Sequence, residues 1–321
     1  MLISVGALVV GLALLVWGSD RFVLGAAATA RNLGVPSLIV GLTVVGIGTS
    51  APEILVSAVA ALDGNPGLAI GNAFGSNIAN IGLVAGVTAL VAPLAVRSQT
   101  LKREFPIMVV VMLLAWLLLA DHTLGRLDGA VLMAAFVAVL VVMVVIGRRA
   151  RHTGDPLEAQ QREELAGEMG IGRALLWILV GLLTLLLGSR AIVWGAVNIA
   201  HALGVSDVII GLTVVAIGTS LPELGASVAG VLKGESDIAI GNVIGSNIFN
   251  MLPVLAMPGL LAPSTVPNGI LRRDLPIMLG FSVALLVMAV GWRGEGRVNR
   301  LEGAALLLAF CAYQAYLYGS P

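Results

Sequence analysis

Two glutamates offer this chain its chemistry. Glu53 and Glu223 each close the same short run, Gly-Thr-Ser-x-Pro-Glu, inside an otherwise uncharged apolar stretch. A carboxylate near the centre of a membrane span costs several kcal/mol, so an acid kept there marks a functional site by default. On a helix, Thr49 lies four residues and Ser50 three residues before Glu53, which predicts both hydroxyls on the carboxylate's face. Thr219, Ser220 and Glu223 repeat that spacing. Pro52 has no N–H and crowds the carbonyl of Gly48, and Pro222 does the same to Gly218. Carbonyls freed at membrane depth are tolerated only where protein or a hydrated cavity satisfies them. A cation can do that.

A second stretch joins the first. Ala69-Ile-Gly-Asn-Ala-Phe-Gly-Ser-Asn-Ile-Ala-Asn80 recurs as Ala239-Ile-Gly-Asn-Val-Ile-Gly-Ser-Asn-Ile-Phe-Asn250, placing Ser76 with Asn80 and Ser246 with Asn250 at i,i+4. The combined shell contains carboxylates, hydroxyls, side-chain amides and carbonyls, with no His, Cys or Met. That disfavours soft metals. Hard cations prefer such a shell, and Ca²⁺ takes six to eight oxygens. Small residues and prolines also serve helix packing in membranes, but packing does not require a buried acid twice.

Both pairs of stretches are 170 residues apart. Between 41–57 and 211–227, 12 of 17 positions are identical, and 9 of 12 are identical in the second pair. Gly18-Ser-Asp20 aligns with Gly188-Ser-Arg190, and Leu101-Lys-Arg-Glu-Phe-Pro-Ile-Met108 with Leu271-Arg-Arg-Asp-Leu-Pro-Ile-Met278, at the same offset. Arg126-Leu-Asp-Gly-Ala130 matches Arg300-Leu-Glu-Gly-Ala304 after a shift of four residues. The chain is a duplication, and its function belongs where the copies meet.

The elements that position these residues are membrane helices. Hydrophobic residues make up 58% of the chain, charged residues 11%, and the mean hydropathy is +1.02. A soluble domain carries about 25% charged residues. Apolar runs of about 20 residues, enough to cross a bilayer, recur throughout, whereas a spanning barrel would show short alternating segments. The net charge is zero and no basic block points to nucleic acid. A lone Cys311 excludes a disulfide framework. Nothing before Asp20 is charged, so the N-terminal run reads as a retained span and not as a signal peptide.

The expected fold is an all-α integral membrane protein of ten transmembrane helices, near 2–28, 36–61, 68–92, 105–121, 127–147, 172–199, 206–231, 238–261, 274–292 and 300–318. A first five-helix repeat over 1–147 and a second over 172–321 flank a polar linker, 148–171. Because five is odd, the second repeat enters the membrane inverted, as in secondary transporters whose site lies at the repeat interface near the midplane. With both termini outside and the linker cytoplasmic, thirteen loop Lys and Arg face the cytoplasm and three, Arg126, Arg272 and Arg273, face out. Asp20, Arg21 and Arg190 read as interfacial anchors or a local ion pair.

Gly48-Thr-Ser-Ala-Pro-Glu53 with Gly75-Ser-Asn-Ile-Ala-Asn80, and Gly218-Thr-Ser-Leu-Pro-Glu223 with Gly245-Ser-Asn-Ile-Phe-Asn250, resemble the paired α-repeats of the sodium/calcium exchangers in the cation/calcium antiporter superfamily. The resemblance implies Na⁺-driven Ca²⁺ exchange by alternating access in a cell (inner) membrane. It makes Glu53 and Glu223 the central ligands of both ions. Thr49, Ser50, Ser76, Thr219, Ser220 and Ser246 complete the sites, with backbone oxygens near Gly46 and Ala216, and Asn80 and Asn250 beside them. The first and sixth spans slide across a fixed bundle. The partners implied are inorganic cations and lipid, with no cofactor; a monomer as the working form is left open.

Several relatives carry an aspartate where this chain has Asn250, so the shell holds two acids here in place of three. That leaves the Na⁺ stoichiometry, a K⁺ requirement and the driving ion open. Ca²⁺/H⁺ antiport is the alternative, because burial raises a carboxyl pKa toward the working range. A cation channel would use the same oxygens, but inverted repeats with broken helices fit a carrier better. An enzyme is not expected: His122, His152 and His201 all lie in or next to loops, away from the acids.

Overall fold

The computed structural model describes residues 2–33, 40–64, 66–96, 98–152, 169–202, 216–290 and 296–319. The middle of the expected linker, 153–168, and the first part of the expected seventh span, 203–215, lie outside the described residues. The helices are α1 (Leu2–Leu33), α2 (Gly41–Thr49), α3 (Ala51–Leu62), α4 (Pro66–Val91), α5 (Ser98–Leu118) and α6 (Arg126–His152). In the second half they are α7 (Ile171–Ala202), α8 (Ala216–Thr219), α9 (Leu221–Leu232), α10 (Ser236–Leu261), α11 (Ile270–Val290) and α12 (Arg300–Gly319).

Among the described residues, six helices suffice by length and composition to cross a bilayer: α1, α4, α6, α7, α10 and α11. The pair α2 and α3, bent by 44°, makes a seventh. This is fewer than the ten spans expected from sequence. α5 contains a shorter apolar helix, Glu104–Leu118, and α9 is a short apolar helix whose upstream residues are not described. In α12, Arg300, Glu302 and Gln314 dilute an apolar run.

α1 and α7, each 32 residues and so about 48 Å long, pack antiparallel along one seam. Glycines recur every seventh residue on both, the spacing that keeps one stripe facing a partner helix. A methyl group at Gly11 would sit 2.8 Å from the Gly188 carbonyl oxygen, at Gly18 3.0 Å from that of Gly181, and at Gly25 2.6 Å from that of Ala174. The two backbones touch, as small residues permit in membranes. Trp17 and Trp177 meet edge to face at 6.2 Å, and the Arg21 guanidinium lies 5.7 and 5.0 Å from their ring centres. The buried apolar side chains fall into two clusters: a small one around Phe22, Leu185 and Ala226, and a large one in the remaining bundle.

Asp20 does form the local pair with Arg21, at 3.7 Å, but Lys233 approaches it more closely, at 2.6 Å. Arg31 pairs with Glu235 at 3.2 Å. Both contacts tie α1 to the turn after α9. Gly234 in that turn has φ +76°, and Gly64 after α3 has φ +80°, the left-handed conformation that ends a helix and suits glycine.

Two short antiparallel ribbons link the halves. β1 (Leu94–Ala95) pairs with β4 (Arg297–Val298), and β2 (Thr123–Leu124) pairs with β3 (Ser264–Thr265). At the sequence offsets of 170 and 174, each ribbon is the other with the halves exchanged.

Candidate functional site

The site begins at the break between α2 and α3. Ser50 stands there with φ −83° and ψ 3°, and Ser220 stands between α8 and α9 with φ −86° and ψ 3°. Each following proline falls in the first two positions of the next helix, where a missing N–H costs nothing. The sequence thus yields a fresh helix start instead of a kinked continuous helix. Glu53 and Glu223 occupy the first turns of α3 and α9, where the positive end of the helix dipole favours a carboxylate. The carbonyl end of α2 lies just across the break.

α4 and α10 bring the second stripe. Ser76 and Asn80 on α4, and Ser246 and Asn250 on α10, are almost fully buried, as are Thr49, Ser50, Ser220 and both glutamates; Thr219 is 8% exposed. Asn80 and Asn250 each open a wide π-helical turn, Asn80–Ala85 and Asn250–Val254. Such turns loosen the carbonyl ladder and recur at functional sites.

The halves interlock through these side chains. Ser50 Oγ donates to Glu223 Oε1 across the interface at 3.2 Å, and Thr49 Oγ1 donates to Asn242 Oδ1 at 3.0 Å. Thr49 and Ser246 also stand beside the Glu223 carboxyl, and Thr219 beside that of Glu53. The i,i+4 and i,i+3 spacings predicted Thr49 and Ser50 on the face of their own Glu53. The break at Ser50 carries both hydroxyls toward the acid of the other half instead. Gly46 O accepts the Ser50 amide at 3.0 Å and packs with Phe249, whose ring lies 2.8 Å from where a Cβ would stand. Ala216 is the first residue of α8.

Asn72 and Asn242 are site residues that the sequence analysis passed over. Asn72 Nδ2 donates to Glu53 O at 3.2 Å and Ser57 Oγ at 3.1 Å, and Asn242 Nδ2 donates to Glu223 O at 3.1 Å and Ser227 Oγ at 2.9 Å. The signal was present. Both asparagines are identical between the repeats and extend the Ser76–Asn80 and Ser246–Asn250 stripes one turn back, while Ser57 and Ser227 extend the Thr–Glu stripes one turn forward.

Several buried polar atoms here have no hydrogen-bond partner: Glu53 Oε2, Glu223 Oε2, Ser76 Oγ, Asn80 Oδ1, Ser220 Oγ, Ser246 Oγ, and both Asn250 Oδ1 and Nδ2. A buried unpaired polar atom costs about 1–3 kcal/mol; seven of these eight are oxygens that can accept a bond or ligate a cation, while Asn250 Nδ2 is a donor. Among the described residues no group of three or more His, Cys, Asp or Glu occurs. The donor set is therefore two acids with neutral oxygens, suited to a hard cation and not to a transition metal.

Residues 3–145 and 173–319 match the family described as Sodium/calcium exchanger protein. The chain is 49% identical to a provisionally assigned antiporter, CaxA, of Alkalimonas amylolytica, over 100% of both chains. It is 32% identical to the sodium/calcium exchanger MaX1 of Methanosarcina acetivorans, over 97% of each. The solved structure of the sodium-calcium exchanger NCX_Mj soaked with Na⁺ and Ca²⁺ superimposes with a TM-score of 0.83 at 34% identity, covering 99% of both chains.

Proposed function

The chain belongs to the sodium/calcium exchanger family of membrane antiporters, and we propose that it exchanges Na⁺ for Ca²⁺ by alternating access at Glu53 and Glu223. One observation carries this reading: the carboxyl of the second half is held by a hydroxyl of the first, amid buried oxygens without partners. Thr49, Ser50, Ser76, Asn80, Thr219, Ser220, Ser246 and Asn250 supply neutral oxygens to the ions, with main-chain oxygens near Gly46 and Ala216. Two carboxylates neutralise one Ca²⁺ or two Na⁺, so either load crosses a low-dielectric region at little net charge. Unloaded, two like charges share one buried place, which opposes an empty crossing.

The spans form two inverted five-helix repeats, 1–147 and 172–321, with both termini outside and 148–171 cytoplasmic. The exchanged pairing of the two β-ribbons supports this arrangement. α1 and α7, joined along their glycine seam, move as one body past the rest, across the small apolar cluster they share with Val45, Ala226 and Ile238. This motion exposes the acids to each side in turn.

The test is transport. Vesicles holding the purified protein are loaded with Na⁺, H⁺ or K⁺ and ⁴⁵Ca²⁺ uptake is followed under each gradient. Uptake driven by Na⁺ is expected. Uptake driven only by H⁺ would replace this reading with Ca²⁺/H⁺ antiport, for which the presence of Asn250 in place of an acid is the favouring observation; a K⁺ requirement would make the exchange K⁺-dependent. Non-saturating flux without counterflow would indicate a channel.

A further inference from the structure

We infer that Asn242 is a positioning residue that keeps the Thr49 hydroxyl proton out of the cation site, so that Thr49 meets the ion with its oxygen. This deepens the proposed function and rests on it. Asn242 is fully buried at the seam between the halves. The orientation of its amide is fixed by chemistry. Glu223 O is a main-chain carbonyl and can only accept, so the nitrogen must face it, and this nitrogen spends its other proton on Ser227 Oγ. The amide oxygen is thereby turned to Thr49 Oγ1, 3.0 Å away, and it too can only accept. Thr49 is the donor.

Thr49 has one proton and, besides Gly46 O at 3.5 Å, three acceptors within reach. Asn242 Oδ1 lies at 3.0 Å, the Val45 carbonyl oxygen one turn back lies at 3.1 Å, and the Glu223 carboxyl stands beside it. A carboxylate is the strongest acceptor of the three, because a charged partner roughly doubles a hydrogen bond. Left to choose, the hydroxyl would bond Glu223 and point its proton at the place a cation must occupy. Asn242 opposes this with a fixed amide oxygen at 3.0 Å, and Val45 O at 3.1 Å competes for the same proton. A hydroxyl whose proton is held elsewhere presents lone pairs to the ion without first breaking a bond to the carboxylate. The bond from its nitrogen to Glu223 O is what holds the amide oxygen toward Thr49. Asn72 repeats the donor side of this arrangement on Glu53 and Ser57.

The experiment is equilibrium ⁴⁵Ca²⁺ binding to the full-length protein in lipid nanodiscs, for wild type, Asn242→Ala, Thr49→Val, the double variant and Glu223→Gln. Asn242→Ala is expected to weaken Ca²⁺ binding about tenfold. Thr49→Val removes the proton that needs directing, so adding Asn242→Ala to it is expected to change binding less than twofold. That non-additivity separates positioning through Thr49 from a general loss of structure. Full additivity, or an Asn242→Ala protein that binds as wild type, overturns the inference while leaving the proposed function standing, provided Glu223→Gln has lost binding. If Glu223→Gln binds as wild type, the proposed site and the inference fall together. Should Asn242→Ala not fold, Asn242→Ser, which keeps a donor for Glu223 O, goes through the same cycle with the same expected and overturning results.

Discussion

Replacing Gly181 by alanine tests the seam on which the proposed movement of α1 with α7 depends. The added methyl would stand 2.5 Å from Phe22 N, 2.7 Å from Phe22 Cα and 2.8 Å from Gly18 O, all main-chain atoms that cannot rotate away. Ordinary contact begins at 3.4 Å, a shortfall of about 0.9 Å that only separation of the helices can supply. The seam is held at the same closeness by Gly11 against Gly188 and by Gly25 against Ala174, so opening it at the centre strains both ends. Overpacking of this kind costs about 1–3 kcal/mol, and the better helix propensity of alanine returns about 0.5–1 kcal/mol. The net is a destabilisation of about 1–2 kcal/mol, or several degrees in the unfolding midpoint at roughly 2–4 °C per kcal/mol. Gly280→Ala is the control, since nothing lies within 4 Å of the added methyl at this exposed position of α11 and only the propensity gain remains. The assay is thermal unfolding in detergent followed by tryptophan fluorescence, with ⁴⁵Ca²⁺ flux on the same preparations. Gly181→Ala should melt lower than both wild type and Gly280→Ala and exchange more slowly. Equal melting of all three would refute the backbone contact.

Glu53→Gln and Glu223→Gln should each lower exchange at least about a hundredfold while the protein still inserts, because each swap removes a charge at nearly constant shape; near wild-type flux would remove that residue from the ligands. Single cysteines at Asp63 and Lys233, the same position in each half, should label from opposite sides of the membrane in a Cys311→Ser background, and labelling from one side would exclude inversion. If three Na⁺ exchange for one Ca²⁺, each cycle moves one charge and flux should follow voltage at about 2.3 kcal/mol per charge per 100 mV; voltage-independent flux would exclude that ratio. Asn250→Asp adds a titratable acid at an isosteric, buried position, so it should alter cation preference or the pH profile of flux, and an unaltered profile would place Asn250 outside the ion shell.

The sequence by itself determined that the chain is duplicated, that it belongs in a membrane, and that Glu53 and Glu223 are the residues to explain. All three are one-dimensional properties: a constant offset, long apolar runs, and the energetic cost of an acid within them. Helical spacing was enough to place Ser76 and Asn80 on one face of α4, because neighbours at i,i+4 on an unbroken helix are local geometry. The same spacing put Ser50 on Glu53, and there the tertiary structure decided otherwise. The backbone breaks at Ser50, the next helix starts at a 44° angle, and the hydroxyl meets Glu223 from the other half. No local periodicity can register a contact between residues 173 positions apart. Asn72 and Asn242 were legible as repeats, but their work was not, since an amide's role depends on which acceptor its nitrogen faces, and both sides are set by packing between elements. The glycine stripes of α1 and α7 could be counted in sequence, yet only docking showed that Gly11, Gly18 and Gly25 meet Gly188, Gly181 and Ala174, because an antiparallel register is a property of two helices together.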